Sequence, residues 1–171
     1  MTQEMKHTIA GTVAGFRLPR YNEIPNVGLY LEQTTKYICE CLAPLQENAV
    51  TGTMISNYVK KGLIANPVKK QYSRDQIAYL LFIAMAKYVL SLDALSGFIR
   101  LQQKTYTVEK AYNYFVEEYE NLLFFTFELK DSIDTVGNDT TDEKRLLYAC
   151  VVSLVQKVYL EKCLEAIAKE N

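Results

Sequence analysis

The stretch from Val50 to Leu80 contains TMISNYVKKGLI (53–64) and ANPVKKQY (65–72), and it runs into SRDQIAYLL (73–81). Thr51 is a candidate N-cap for a short helix to about Lys61, because a threonine hydroxyl accepts a hydrogen bond from a free amide of the first turn. Gly62 follows this segment, and many helices end with a glycine in the left-handed conformation. The sequence therefore predicts a short helix with a sharp exit.

The residues after this exit predict a connector and then a second helix. Pro67 keeps the connector from becoming helical. Ser73 and Gln76 have the spacing of a capping box, which opens a new helix. A short helix, a glycine exit, a basic connector and a capped helix follow one another in a winged helix-turn-helix, where one helix and one loop lie on DNA.

The short helix has an apolar stripe and an opposed polar face. Ile55, Tyr58 and Val59 form the stripe. The polar residues recur at i, i+3, i+4 and i+7 and are Thr53, Ser56, Asn57 and Lys60. Hydroxyl, amide and ammonium groups can hydrogen-bond base edges and phosphates, and asparagine can pair with adenine in the major groove.

Five cations lie within fifteen positions, and they are Lys60, Lys61, Lys69, Lys70 and Arg74. We predict two sets of DNA contacts. The residues that would contact the major groove or its phosphates are Thr53, Ser56, Asn57, Lys60 and Lys61. The residues that would contact DNA from the wing are Lys69, Lys70, Gln71 and Arg74. The alternative interpretation is a solvated, lysine-rich surface of an ordinary helical bundle.

Other cap signals divide the rest of the chain. Residues 1–25 predict an extended arm, held by Pro19 and Pro25 at its end. The remaining predicted helices run from Asn26 to Pro44, from Ser91 to about Arg100, from Thr107 to about Leu129, and from the capping box Thr140–Glu143 to near Ala168. The fold class is all-α with at most a tiny wing, in three parts: 1–25, 26–104 and 105–171.

Charge is distributed unevenly although the formal net charge is only −1. Residues 1–104 hold 12 Lys/Arg and 7 Asp/Glu, whereas residues 105–171 hold 7 and 13. A basic front and an acidic back suggest two tasks. The first residues do not have the pattern of a signal peptide. No run approaches the roughly 18 apolar residues of a membrane span, and the four cysteines predict free thiols. We therefore expect a cytoplasmic protein with no membrane partner.

The sequence argues against an enzyme. His7 is the only histidine and lies in the predicted arm, which removes most histidine-dependent catalytic and zinc sites. Cys39 and Cys41 are two apart, so on a helix they point to different sides. No phosphate-binding glycine loop is present. We therefore expect no catalytic residues, no metal site and no cofactor.

The central segment resembles the DNA-binding half of the MerR family over roughly residues 26–100. The matching residues are Tyr58, Gly62, Leu63, Lys70, Tyr72 and Ser73, with Ser91-Leu92-Asp93 at the start of a later helix. More closely, three pieces resemble an uncharacterised bacterial family, domain of unknown function 1836. They are LPRYNEIP (18–25), MISNYVKKGLIANPVKKQYSRDQIAYLL (54–81) and VLSLD (89–93). The first resemblance implies a MerR-like winged helix-turn-helix.

The chain also departs from the MerR pattern. Ser56 stands where that family usually carries an arginine midway along the recognition helix. The wing is shorter, with one lysine pair in place of several arginines. The prolonged coiled-coil helix and the metal-binding cysteines of metal-responsive members are not recognisable.

The second half is unusually apolar for its length. Eight of the twenty aromatic residues fall within 106–127, and LLYACVVSLV (146–155) is apolar on every side except Ser153. Helices of this kind are buried between partners. We predict a homodimer through this region, with a small-molecule effector as a further candidate partner. The alternative is that these helices simply close the core.

The acidic residues of this half predict a charged surface that would orient DNA towards the basic end. They are Glu117, Glu118, Glu120, Glu128, Asp131 and Asp134, and the alternative is an ordinary solvated face.

The functional hypothesis is a DNA-binding transcriptional regulator of MerR-like type. The competing hypothesis is a helical protein-interaction module that keeps the winged architecture without binding DNA.

Overall fold

The computed structural model describes residues 1–46 and 49–170. Seven helices lie in this part of the chain: α1 (Gln3–Gly11), α2 (Leu31–Leu42), α3 (Gly52–Lys60), α4 (Arg74–Ala86), α5 (Leu92–Thr105), α6 (Val108–Thr126) and α7 (Asp142–Glu170). A 3-10 turn covers Tyr21–Glu23, and two short strands, β1 (Leu29–Tyr30) and β2 (Gln71–Tyr72), pair antiparallel. The prediction of an all-α fold is confirmed in its mostly helical character, with one two-stranded sheet, and the MerR-like winged helix-turn-helix stays a prediction.

Most of the predicted helix starts are confirmed by their caps. The side-chain oxygens of Thr51, Ser73, Ser91 and Thr107 each accept from the amide three residues later, at 3.2 or 3.3 Å. Each cap satisfies one of the amides that a helix leaves free at its start.

Three predictions about where helices start were wrong. Residues 3–11 form a capped helix instead of an extended arm, because Met5, Ile9 and Ala10 give this segment one apolar face that is buried. The helix predicted from Asn26 starts only at Leu31, since residues 29–30 pair with β2. At α7 the amide of Lys144 bonds to Thr141 and not to Thr140.

The core is one continuous cluster that extends from Ile9 to Cys163. Helix α4 lies at its centre, since every residue from Leu80 to Ala86 is buried. It packs on α2, α6 and α7, and α6 packs lengthwise on α7. The proposed division at 25 and 104 stays a prediction.

The aromatic residues of α6 contribute mainly to this core. Tyr112, Phe115 and Tyr119 are buried, and Phe115 makes an edge-to-face contact with Phe82 of α4 at 5.1 Å between ring centroids. Helix α6 thus closes the core over the preceding helices, as the alternative interpretation of the sequence has it. Phe125 remains 40% exposed near its end.

Candidate nucleic-acid interface

Helix α3 is held by its apolar stripe and presents its polar face to solvent. Ile55 and Tyr58 are buried, and Val59 is half-buried. The exposed residues on and just after the helix are Thr53, Ser56, Asn57, Lys60 and Lys61. The structure therefore brings together, on one exposed surface, the five residues that the sequence assigned to the major groove.

The exit from α3 is a Schellman motif, which directs the chain towards the wing. The amide of Leu63 donates to the carbonyl of Tyr58 at 2.9 Å, and that of Gly62 donates to Val59 at 3.0 Å. Gly62 has φ of +72°, a conformation that glycine adopts without steric cost. Leu63 is buried, so the end of α3 is fixed against the core.

The segment predicted as a wing is a two-residue hairpin with lysines at its tip. The amide of Gln71 donates to the carbonyl of Val68 at 2.9 Å, and Lys69 and Lys70 lie between them with φ of 51° and 63°. Positive φ at both central positions is the geometry of a type I′ turn, in which asparagine and glycine are preferred. Two lysines in these positions carry backbone strain.

The hydrogen bonds of Gln76 and the close approach of Gly28 hold the hairpin against the rest of the fold. Gln76 accepts from the amide of Ser73 at 2.8 Å and donates to the carbonyl of Ala65 at 2.8 Å, which ties the connector to the start of α4. Gly28 lies so close to the hairpin that a Cβ there would be 2.7 Å from the Cβ of Gln71. This packing half-buries Gln71, whereas the sequence predicted it to be an exposed contact of the wing.

Arg74 has a different environment from the four lysines. Its guanidinium donates to the carbonyl of Ile24 at 2.9 Å and lies over the Tyr21 ring, with 5.4 Å to the centroid. Lys60, Lys61, Lys69 and Lys70 are exposed, and they form no ion pair within residues 1–46 and 49–170. The four lysines are therefore the cations available to an anionic ligand, while Arg74 is engaged in the fold.

Sequence reasoning missed one further cation beside the wing. Arg100 of α5 is exposed, and it lines the same shallow groove as Val68 and Lys69 of the hairpin and Gln103 of α5. Helix α5 continues to Thr105, beyond the end predicted at Arg100. Lys69 and Arg100 are 31 residues apart in the sequence, so no local pattern indicated that they would line the same groove.

Two carboxylates of the predicted acidic surface are buried instead. Glu120 forms a bidentate ion pair with Arg20, with oxygen–nitrogen distances of 3.0 and 2.8 Å. Burial raises the pKa of Glu118 above its usual value. Glu117, Glu128, Asp131 and Asp134 are exposed, so the acidic surface is smaller than predicted.

A small cavity of about 50 Å³ lies between α4, α5, α6 and α7. Phe82, Phe98 and Phe115 line it, and Gln102 and Lys144 add polar groups. Ligand pockets usually measure about 300–1,000 Å³, so this cavity admits only a very small molecule unless its walls move.

The described residues contain no group of histidine, cysteine or carboxylate side chains that could hold a metal ion. No helix in this part of the chain has the length and apolar character needed to cross a bilayer. Cys39 and Cys41 are half-buried free thiols, and Cys150 and Cys163 are buried ones.

The fold and this surface together define a small, mainly α-helical protein with an exposed cluster of lysines on one helix and one hairpin. The family model described as Domain of unknown function (DUF1836) matches residues 19–115, and the chain belongs to that family. The match includes α3, the hairpin and α4. No curated protein matches the chain. No solved structure matches it either.

Proposed function

We propose that the protein is a cytoplasmic, non-enzymatic transcriptional regulator of MerR-like type that binds double-stranded DNA through α3 and the hairpin. The observation that carries the proposal is the lysine pair at the strained hairpin tip. Lys69 and Lys70 occupy the two positive-φ positions where stability alone would favour Asn-Gly. Backbone strain of this kind is concentrated at functional sites.

Helix α3 has suitable size and chemistry for the major groove. Its nine residues extend about 14 Å, and the groove admits an α-helix. Asn57 offers the amide that pairs with the N6 and N7 positions of adenine, and Thr53 and Ser56 offer hydroxyls. Lys60 and Lys61 lie at the end of the helix, where they would reach phosphates.

The hairpin would contribute phosphate contacts and not base contacts. Lysine binds phosphate as a mobile point charge, and such contacts position a protein on DNA without reading sequence. Lys69 and Lys70 would act in this way. Arg74 stays in the fold, and Arg100 extends the basic surface towards α5.

Two features favour modest affinity and qualify the MerR likeness. Helix α2 ends at Leu42 and α3 begins only at Gly52, whereas the two helices of a helix-turn-helix are usually joined by a turn of three or four residues. Ser56 is exposed and stands where the MerR family usually carries an arginine, so this chain lacks that bidentate phosphate or guanine contact. A homodimer would offset this loss by binding two half-sites at once.

A small-molecule effector remains part of the proposal in a restricted form. The cavity beside Phe82 and Phe98 lies between helices that precede and follow the proposed domain boundary at 104. A molecule bound there would change how α5 packs on α7. Its volume limits the effector to a small, largely apolar compound.

The proposal is tested by selecting binders from random duplex DNA and titrating the enriched duplex with salt. We expect sequence enrichment, and a log–log slope of affinity against salt concentration of about −4 per protomer if four lysines neutralise phosphates. Failure to enrich any sequence, together with no binding at about 50 mM salt, would favour the protein-interaction module instead.

A variant of the hairpin tip separates stability from DNA binding. Lys69→Asn with Lys70→Gly is expected to raise the free energy of unfolding by about 1–2 kcal/mol, because both residues accept positive φ more readily than lysine. The same variant is expected to weaken DNA binding by roughly tenfold, since two phosphate contacts are lost.

Urea unfolding and fluorescence anisotropy measure the two effects on the same sample. Lys69→Ala with Lys70→Ala is the matched control, because it loses the same charges but keeps residues with a Cβ at both positions. A hairpin variant that binds DNA as tightly as the native protein would contradict the assignment of the wing.

A further inference from the structure

Helix α7 leaves a long strip of side chains exposed on the face opposite its buried one. It buries Leu147, Val151, Leu154 and Val155 against the core. The exposed strip consists of Leu146, Ala149, Ser153, Gln156, Leu160, Leu164 and Ile167. These positions fall within about 100° of one another around a helix of 3.6 residues per turn. Leu146, Leu160 and Leu164 are 47%, 58% and 56% exposed, and together they form an apolar patch of the kind that marks interaction surfaces.

We propose that a second copy of this chain covers the strip, with the two α7 helices antiparallel about a two-fold axis between Gln156 and Lys157. The inference deepens the homodimer of the proposed function by naming its surface. It does not depend on DNA binding, because the strip lies on α7 and the lysine cluster lies on α3 and the hairpin.

The spacing of the strip supports an antiparallel arrangement. From position 146 the strip advances by 3 and 4 residues to 153, and counted backwards from 167 it advances by 3 and 4 residues to 160. Rotation about the proposed axis therefore places 146, 149 and 153 opposite 167, 164 and 160, and it places Gln156 opposite the half-buried Lys157. Ser153 would face Leu160 of the second copy, and Ala149 would face Leu164.

The same rotation pairs small side chains with large ones. Alternation of large and small residues across facing positions lets two helices interdigitate without voids. Leu146 and Ile167 would meet at the two ends of the seam. A parallel pairing would instead place each residue opposite its own copy. Leu160 and Leu164 would then crowd the seam, and Ala149 and Ser153 would leave gaps in it.

The helix dipoles also favour the antiparallel orientation over a parallel one. An antiparallel pair sets the positive end of one α7 beside the negative end of the other, whereas a parallel pair sets like ends together.

The size of the strip sets the expected strength of the dimer. The 22 residues from 146 to 167 extend about 33 Å, and a contact roughly 10 Å wide covers on the order of 300 Å² per copy in projection. Both copies together then contribute on the order of 600 Å², which is below the roughly 1,000 Å² of a stable specific interface. We therefore expect a weak dimer, with a dissociation constant towards about 100 µM.

Sedimentation equilibrium of the full chain with Leu160→Glu and Leu164→Glu tests the surface. Both side chains are more than half exposed, so the fold should persist, which circular dichroism checks. We expect at least a 100-fold weaker dimer than for the native chain. Ile133→Glu, at a 40% exposed residue outside α7, is the control and should leave the dimer unchanged. A native chain that is monomeric at 200 µM, or a double variant that dimerises normally, would overturn the proposal.

Disulfide formation tests the register. Under mild oxidation, chains carrying Ser153→Cys mixed with chains carrying Leu160→Cys should cross-link, while neither variant should cross-link alone. The native chain under the same conditions gives the background from its four thiols. Cross-linking of each variant with itself would show a parallel pair, and no cross-link in the mixture would place the dimer elsewhere. If the dimer is found and DNA binding is not, the regulator fails while this inference stands.

Discussion

Replacing Glu120 with alanine is expected to lower the free energy of unfolding by about 3 kcal/mol. The carboxylate is buried and accepts three hydrogen bonds, from the amide of Leu18 at 2.8 Å and from both terminal nitrogens of Arg20 at 3.0 and 2.8 Å. Removing one partner of a buried ion pair costs about 3–5 kcal/mol, because the other charge is left without compensation. The side chain of Arg20 is 34% exposed, so we expect the lower end of that range.

The effect would extend beyond the ion pair because of where it lies. Glu120 belongs to α6, and its partners belong to the connector that also supplies the carbonyl of Ile24 to Arg74. Arg74 is the first residue of α4 and follows directly after the hairpin and the Ser73 cap. Loss of Glu120 is therefore expected to loosen the connector on which the start of α4 rests.

Urea unfolding of Glu120→Ala measures the loss. Lys36→Ala is the control, because its ion pair with Glu40 is 3.8 Å long with both side chains well exposed, and such pairs contribute less than about 1 kcal/mol. Adding Arg20→Ala to Glu120→Ala should recover part of the stability, since the unpaired cation is removed. A loss below 1 kcal/mol for Glu120→Ala alone would contradict a structural role for the pair.

The contrast between these contacts and the helix caps explains what the sequence can predict. Thr51, Ser73, Ser91 and Thr107 were identified as caps because each acts on an amide three residues away. Arg20 and Glu120 are 100 residues apart, and nothing near either residue marks the other. Periodicity likewise identified the exposed face of α3 but placed Glu120 on a surface that the fold buries.

The proposed interface divides in the same way. The helical spacing of the polar residues was sufficient to group Asn57 and Lys60 on one face. The positive φ of Lys69 and Lys70 had no local signal, because Lys-Lys is not a typical type I′ pair. Arg74 was predicted as a DNA contact from its charge alone, and its bond to Ile24, 50 residues earlier, could be found only in the folded chain.

Simultaneous replacement of Lys60, Lys69 and Lys70 with alanine is expected to weaken DNA binding by on the order of 100-fold at about 0.1 M salt. Each lysine that neutralises a phosphate releases about one counterion, so the log–log salt slope should decrease in magnitude by about 3. The fold should be unaffected, because all three side chains are exposed and alanine keeps a Cβ at both positive-φ positions.

The salt slope is the decisive measurement because it separates local contacts from net charge. A control with Lys104, Lys162 and Lys169 replaced by alanine loses the same three charges from α5 and α7, and its slope should match that of the native protein. Long-range attraction alone would weaken both variants equally and is screened beyond about 10 Å at 0.1 M salt. If the variant at Lys60, Lys69 and Lys70 keeps both its affinity and its slope, α3 and the hairpin do not lie on DNA. The lysines would then be a solvated surface, and a helical protein-interaction module would be the better description.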